Sequence, residues 1–274
     1  MKKNILITGG AGFIGSHLAR LLAKEGHSVH VLDLRDPEKP ITGVQYTKGD
    51  VRNAPLLHSL MKECHAVYHF AATVSIPLCQ KDPLESTSNN FTATLIVLEE
   101  ARKILEATKK KIRVIFASTA ALYGDKGNDG RALKEEDAAT HFLSYYAAQK
   151  MASEQMIYLY NRTHSIPCVI FRFFNVFGPG QDPTSPYSGV ITVFNRFIQE
   201  RKPLPLNGGG TQTRDFISVH DLVRGCADAL DLSDDACDAM AMNLGTGHSI
   251  TIELLAQKMK EVAQSKVEDR KSVV

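Results

Sequence analysis

Residues 4–15 read Asn-Ile-Leu-Ile-Thr-Gly-Gly-Ala-Gly-Phe-Ile-Gly, a compact succession of apolar run, glycine turn and helix start. Ile5, Leu6 and Ile7 predict a buried parallel strand at 4–8. Glycines at 9, 12 and 15 then turn the chain into a helix over 13–25 whose apolar face carries Leu18, Leu21 and Leu22. Gly9 permits the tight turn, Gly12 lets backbone approach a pyrophosphate, and Gly15 lets the helix lie close on the strand. The unpaired N–H groups at the positive end of that helix face the phosphates. A glycine-rich loop with no ligand would show the same spacing, so the surroundings must decide.

A second apolar run, Val29-His30-Val31-Leu32, ends in Asp33, about twenty residues past the last glycine, where a carboxylate accepts the ribose hydroxyls of a dinucleotide. Strand, turn, helix, strand and acid follow one another within a single βαβ length. Asp33 repels a 2′-phosphate, so NAD is favoured over NADP, although Arg35 two residues on is a group that accommodates a phosphate. Further apolar runs predict strands at 44–46, 66–71, 112–117, 166–173 and 240–244, with helices at 54–62, 89–109 and 144–163. Such alternation argues for an α/β fold, a doubly wound parallel (Rossmann) sheet, over residues 1–176. After Asn175 the texture changes to a Pro/Gly-rich loop at 178–189, a helix near 189–201 and the Gly208-Gly209-Gly210 turn, read as a smaller substrate-binding lobe over 177–274, with 219–245 returning to the first unit. A last helix is expected at 251–264.

The 274 residues are 43% hydrophobic and carry a formal charge of only +2, so nothing steers the chain to nucleic acid or an anionic membrane. The basic run Lys109-Lys110-Lys111 closes a helix, where cations suit the dipole. Five cysteines without a Cys-x-x-Cys pair point to free thiols, no metal site and a cytoplasmic protein. No apolar stretch reaches membrane-spanning length, and the N-terminus runs straight into a strand, with no signal peptide expected. Helices 89–109 and 144–163 carry apolar residues on more than one face, which predicts either a thick covering layer or pairing with a second subunit.

Tyr146 and Lys150 lie at i and i+4 on one helix face. A free phenol titrates near 10 and is a poor base at neutral pH, but a nearby ammonium favours the phenolate. Tyr146 is thereby suited to take a proton from a substrate hydroxyl. Tyr145 competes for the role, but its i+4 neighbour is the uncharged Gln149. The run Phe116-Ala117-Ser118-Thr119 ends a predicted strand at the sheet edge where ligands of open α/β folds sit, so a hydroxyl there is placed to meet the reacting oxygen.

Ordered motifs now converge: 8–15, Gly49-Asp50-Val51, His69-Phe-Ala-Ala72, Ser118-Thr-Ala-Ala-Leu-Tyr-Gly124, Tyr146-Ala-Ala-Gln-Lys150, Arg172-Phe-Phe-Asn-Val-Phe-Gly-Pro179 and Thr213-Arg-Asp-Phe216. From residue 4 to about 258 the chain resembles the extended short-chain dehydrogenase/reductases, specifically the NAD-dependent nucleotide-sugar epimerases of the UDP-hexose 4-epimerase kind. The stretch 181–191 is particularly similar to sugar 4-epimerases. The resemblance implies a catalytic set of Thr119, Tyr146 and Lys150. It implies an NAD site formed by Gly9, Gly12, Phe13, Ile14, Gly15, Asp33, Asp50, Val51, Phe70, Ala71, Ala72, Asn90, Ser118 and Phe174 together with Tyr146 and Lys150. Asp50 and Val51 would flank the adenine. For a UDP-sugar it implies Asn175, Val190, Leu206, Asn207 and Arg214, with Arg214 on the diphosphate unless it pairs with Asp215 or Asp221.

Related 4,6-dehydratases carry Asp-Glu directly after the catalytic threonine, and related decarboxylases a Glu. Here Ala120 and Ala121 stand there, and alanine moves no protons. The resemblance thus implies simple C4 epimerisation of a UDP-glucose, N-acetylhexosamine or uronate by a homodimer. A net NAD(P)-dependent nucleotide-sugar reductase and a noncatalytic NAD-binding protein are the alternatives. Ala93 replaces a glycine common in the family. Relatives also continue past the position of Val274 with a segment that brings a further arginine to the diphosphate. On that reading the lobe is incomplete, UDP-sugar binding is weak, and residues near 178–189 and 265–274 are loosely held.

Overall fold

The computed structural model describes residues 2–126, 131–182 and 189–272. The first half contains β1 (Asn4–Thr8), α1 (Phe13–Lys24), β2 (Ser28–Asp33), β3 (Val44–Lys48), α2 (Ala54–Met61) and β4 (Ala66–His69). It continues with α3 (Ile76–Lys81), α4 (Pro83–Thr87), a π-helical turn (Ser88–Thr92) leading into α5 (Ala93–Thr108), β5 (Arg113–Thr119), α6 (Tyr145–His164) and β6 (Cys168–Phe173). The second half contains β7 (Asn175–Phe177), α7 (Val190–Gln199), β8 (Leu204–Asn207), β9 (Thr213–Ser218), α8 (Val219–Asp228), β10 (Asp238–Leu244), β11 (Ser249–Thr251), α9 (Ile252–Val262) and β12 (Asp269–Ser272).

Seven strands form one parallel sheet in the order β10-β6-β5-β4-β1-β2-β3. The chain winds outward from β1 in one direction and from β4 in the other, so a crevice opens at the C-terminal ends of those two strands. Alternation along β1 divides the core. Ile5 and Ile7 face α1 and α8 with Leu18, Leu22 and Leu222, while Leu6 faces α2, α5 and α6 with Leu57, Val97 and Ile157. A separate apolar cluster of Phe194, Leu204, Leu206, Ile252 and Leu255 supports α7, β8 and α9.

The strand expected over 66–71 ends at His69: Phe70 N still donates to Thr8 O, but Ala71 N turns to the Thr8 hydroxyl instead of the ladder. Helices α3 and α4 escape periodicity because each is only about a turn and a half long. Their starts are nonetheless written locally: Ser75 and Asp82 cap them through Leu78 N and Glu85 N, each with a proline in the first turn. The C-terminal stretch expected to be loose is instead paired. Residues 269–272 add a parallel strand to the open edge of β8, and Lys260 holds Asp269 at 2.8 Å. Of the 178–189 loop, residues 183–188 lie outside the described residues, and with them most of the epimerase-like stretch 181–191.

The two-faced helices α5 and α6 pack side by side, with the Tyr160 hydroxyl donating to Glu99. This covers Leu95 and Ile96 only in part and leaves Tyr158 and Leu159 exposed. All five cysteines are free and buried. No helix among the described residues is long and apolar enough to cross a membrane.

Candidate active site

The glycine turn is built for close approach. A Cβ on Gly9 would stand 2.7 Å from Ala71 N, and one on Gly15 would stand 2.5 Å from Gly9 O. Gly9 also adopts φ +73°, the left-handed region that favours glycine. A Cβ on Gly12 would meet only Gly9 O, at 3.2 Å, leaving the space above the first turn of α1 open to a ligand. Phe13 and Ile14 start that helix at its positive end. Asp33 ends β2 with one carboxylate oxygen accepting from Ala11 N at 3.0 Å and the other from Arg35 N at 3.1 Å. The acid and the glycine loop are thus tied into one cradle, whose open backbone and single terminal carboxylate fit a dinucleotide with free ribose hydroxyls.

The far wall is held from behind by polar groups. Ala71 N donates to the Thr8 hydroxyl at 3.3 Å, and Thr8 meets His69 Nδ1 at 2.8 Å. His69 Nε2 meets Thr94 at 3.1 Å, and Thr94 donates to Asn90 O at 2.8 Å. Because the Thr94 proton is committed to Asn90, His69 must carry its own proton on Nε2, leaving Nδ1 bare to accept from Thr8. Burial, and secondarily the charge of Lys150, pull the His69 pKa down to about 3.

Asn90 is itself fully buried. Its amide accepts from Thr73 N, donates to Thr73 O, and donates to Gln149 at 2.7 Å. It therefore ties Thr73, the residue after the Phe70–Ala72 stretch, to Gln149 of α6. Phe70 rests edge-on against Tyr68 and Phe173. Asp50 is gripped by Arg52 at 2.7 Å, which holds its carboxyl below the usual range, and Val51 packs into the core.

The catalytic candidates meet at the end of β5. Ser144 caps α6, accepting from Ala147 N at 3.2 Å, and so fixes the helix start next to the sheet edge. Tyr146 is 9% exposed in the first turn of α6, whereas Tyr145 is 53% exposed. Thr119 accepts from Ala121 N at 3.1 Å and is hydrogen-bonded to Tyr146. Burial pushes the Tyr146 phenol well above its ordinary range, and the Thr119 bond works against that shift.

Lys150 is buried too. Its Nζ donates to Ala117 O at 2.8 Å and stands 4.5 Å above the Phe116 ring, 5.9 Å from the Tyr146 ring. Burial draws its pKa down to about 7, opposed by the Glu154 carboxylate. The expectation that Lys150 lowers the Tyr146 pKa is thus replaced by a finer picture. Burial disfavours the charged form of each group, and it is Thr119 that opposes the shift of the Tyr146 phenol.

A cleft of about 1090 Å³ reaches this cluster at Thr119, with Tyr146 and Lys150 buried behind its lining, and is lined also by Ala120, Ala121, Tyr123, Phe174, Asn175 and Arg214. Asn175 donates to Asp215 O at 2.9 Å. The Asp215 carboxylate accepts from Thr246 N and Gly247 N at 2.9 and 2.8 Å, closing the turn that forms one cleft wall. Asp215 is therefore not the ion partner of Arg214, whose guanidinium donates to Thr213 O and is exposed.

Three expected substrate residues do not join this group. Leu206 is fully buried in the core of the lobe and Val190 packs against it, because alternation along β8 turns Leu206 inward. Asn207 is exposed at the end of β8, outside the cleft lining. Ser118 also departs from its expected role against the cofactor: its hydroxyl donates into a buried carboxylate, Glu154. Sequence reasoning missed Glu154 and its partner Arg172. The signal was available, since an arginine inside the otherwise apolar strand Cys-Val-Ile-Phe-Arg-Phe requires a buried acid. Among the described residues no cluster of metal-ligating side chains occurs.

A family model described as the NAD dependent epimerase/dehydratase family matches residues 5–245. A UDP-N-acetyl-alpha-D-glucosaminuronate decarboxylase of Bacillus cytotoxicus is 33% identical over 97% of this chain and 82% of its own length. A putative UDP-glucose 4-epimerase of Methanocaldococcus jannaschii is 31% identical over 93% of this chain and 81% of its own. Among solved structures, UDP-glucose 4-epimerase of Thermotoga maritima with UDP-glucose aligns over 98% of this chain and 85% of its own, with a TM-score of 0.88 and 27% identity. The Thermus thermophilus UDP-glucose 4-epimerase complex with NAD aligns over 99% and 90%, with a TM-score of 0.84 and 29% identity.

Proposed function

The chain belongs to the NAD dependent epimerase/dehydratase family, and within it we propose an NAD-dependent 4-epimerase that inverts C4 of a UDP-hexose, its N-acetyl derivative or its uronate. The observation that carries this reading is the Thr119–Tyr146–Lys150 cluster beside the cleft, flanked by Ala120 and Ala121. Bound NAD supplies a reversible acceptor for the hydrogen on C4.

The protein's residues do the remainder. The glycine turn and the first N–H groups of α1 receive the cofactor diphosphate, and Asp33 accepts its ribose hydroxyls. Tyr146 takes the proton of the C4 hydroxyl and later returns it, with Thr119 hydrogen-bonded to the same oxygen. Burial disfavours both the phenolate and the Lys150 ammonium, so the positive charge of a bound nicotinamide would favour ionising Tyr146. Arg214 and Asn175 sit on the substrate side, where a guanidinium suits a diphosphate.

Elimination of water would need an added acid and base beside Thr119, and Ala120 and Ala121 supply neither. Supporting the reading further, three of these similar proteins are named as UDP-glucose 4-epimerases, one of them putative. The similar decarboxylase keeps loss of a carboxyl group in the test. The deciding experiment incubates the purified, NAD-loaded protein with a panel of UDP-hexoses, UDP-N-acetylhexosamines and UDP-uronates and analyses products by NMR and mass spectrometry. A 4-epimer of unchanged mass is expected. A product lighter by water or carbon dioxide, or stoichiometric formation of NADH with an oxidised sugar, would replace epimerase with dehydratase, decarboxylase or net oxidoreductase.

A further inference from the structure

Behind Thr119 lies a buried ion pair that the proton transfer itself does not use. Arg172 is the single cation of β6, and Glu154 sits one turn beyond Lys150 on α6, their side chains 6% and 5% exposed. Two parallel bonds join them, Nε to Oε1 at 3.0 Å and Nη2 to Oε2 at 2.7 Å. Fork-on-fork geometry of this kind dictates orientation as well as contributing energy. Neither group stops at the other. The Ser118 hydroxyl donates to Glu154 Oε1. Arg172 Nη1 donates to the Tyr123 hydroxyl at 3.1 Å and to Glu135 O at 2.7 Å, and Tyr123 in turn donates to Asn243. Tyr123 and Asn243 both line the cleft.

Ser118 is the informative tether. On one side of it is Ala117, whose carbonyl accepts the bond from Lys150; on the other is Thr119, hydrogen-bonded to Tyr146. One bond from Ser118 to Glu154 thus holds the two β5 residues that meet the catalytic pair. Stability alone is a weak reason for such an arrangement, because buried ion pairs are often replaceable by apolar side chains at no loss. What the pair does that apolar packing cannot is lock α6, β5, β6 and the cleft wall in one mutual orientation.

We infer that Glu154 and Arg172 are positioning residues for the reaction, acting through Ser118 on Thr119 and Lys150 and through Tyr123 on the sugar side of the cleft. The inference rests on the proton-transfer reading above. Ser118→Ala cuts the tether without leaving a buried charge alone, whereas Glu154→Gln unpairs Arg172. The NAD-loaded full chain is compared with both variants in kcat, KM, thermal midpoint and the ionisation of Tyr146, read by ultraviolet difference titration against Tyr146→Phe. In Ser118→Ala, kcat falls about five- to tenfold with KM within about twofold, and the Tyr146 midpoint rises by about half a pH unit, in the direction of Thr119→Ala, because a slack Thr119 bond stabilises the phenolate less. Glu154→Gln shows the larger loss of kcat; if it does not fold, Ser118→Ala alone decides. Unchanged kcat and an unchanged Tyr146 midpoint in Ser118→Ala, with only the thermal midpoint lowered, would overturn the inference. A wild-type protein that turns over no UDP-sugar overturns the functional proposal instead, and the Tyr146 midpoint, which needs no turnover, still decides this one.

Discussion

His69 gives the fold a specific weakness to acid. It is 1% exposed, neutral, and fully engaged by Thr8 and Thr94, with its pKa drawn down to about 3 by burial. The unfolded chain binds a proton on this ring near pH 6.5 and the folded chain does not, so stability is lost as pH falls through 6.5 and keeps falling until about 3. Between about pH 7.5 and pH 5 this one ring costs about 2 kcal/mol, with no discount for solvent screening because the group is buried. Burial also lowers the pKa values of His17, His27 and His30, so the wild-type slope contains their share as well.

His69→Gln separates the contributions, since an amide accepts and donates much like the neutral ring but does not titrate. The variant should be less stable at neutral pH by about 1–2 kcal/mol from imperfect bonds, yet lose about 2 kcal/mol less than wild type on going to pH 5. Urea unfolding followed by far-ultraviolet circular dichroism is the assay, because the chain has no tryptophan. Equal losses in the two proteins would refute the argument that His69 is held neutral by its burial.

Tyr146→Phe keeps the packed ring and removes the proton acceptor, so turnover should fall by ~10²–10⁴-fold with NAD still bound; an unaltered rate would sink the base assignment. Asp33→Ala should weaken NAD binding more than it disturbs folding, measured by calorimetry beside thermal denaturation, and recovery of the wild type loaded with NADP would mean that Arg35 dominates that end of the cradle. Arg214→Ala should reduce UDP affinity roughly ten- to hundredfold while leaving NAD affinity alone, because a charge-assisted phosphate contact contributes about 1.5–3 kcal/mol; equal UDP affinity would remove Arg214 from the substrate site. A homodimer through α5 and α6 would cover the exposed Tyr158 and Leu159, so sedimentation should find a dimer that Leu159→Glu with Tyr158→Lys dissociates, and a monomeric wild type at micromolar concentration contradicts it.

The elements whose chemistry is local were legible from residue order. The run 4–15 announces β1, the glycine turn and α1 because apolar periodicity, glycine spacing and a trailing acid are all short-range signals. The i, i+4 spacing of Tyr146 and Lys150 is likewise a property of one helix. Other features depend on segments that meet only when the sheet closes. Residues 269–272 look like a spare tail until the open edge of β8 offers them a partner. Leu206 passes for a ligand contact until strand alternation buries it. Ser118 reads as a cofactor contact until Glu154, 36 residues away, takes its hydroxyl.

The charge states of the site are also tertiary. Spacing puts Lys150 beside Tyr146, but only burial brings its pKa to about 7, and only folding sets its Nζ to donate to Ala117 O. Sequence by itself determined the doubly wound sheet, the dinucleotide cradle and the identity of the Tyr146–Lys150 pair, since each is encoded within one βαβ length or one helix. Only the tertiary structure decided which hydroxyls face the cleft, which are tied to the Glu154–Arg172 pair, and which groups burial pushes toward their neutral forms, because desolvation and long-range hydrogen bonds exist only once distant segments have packed.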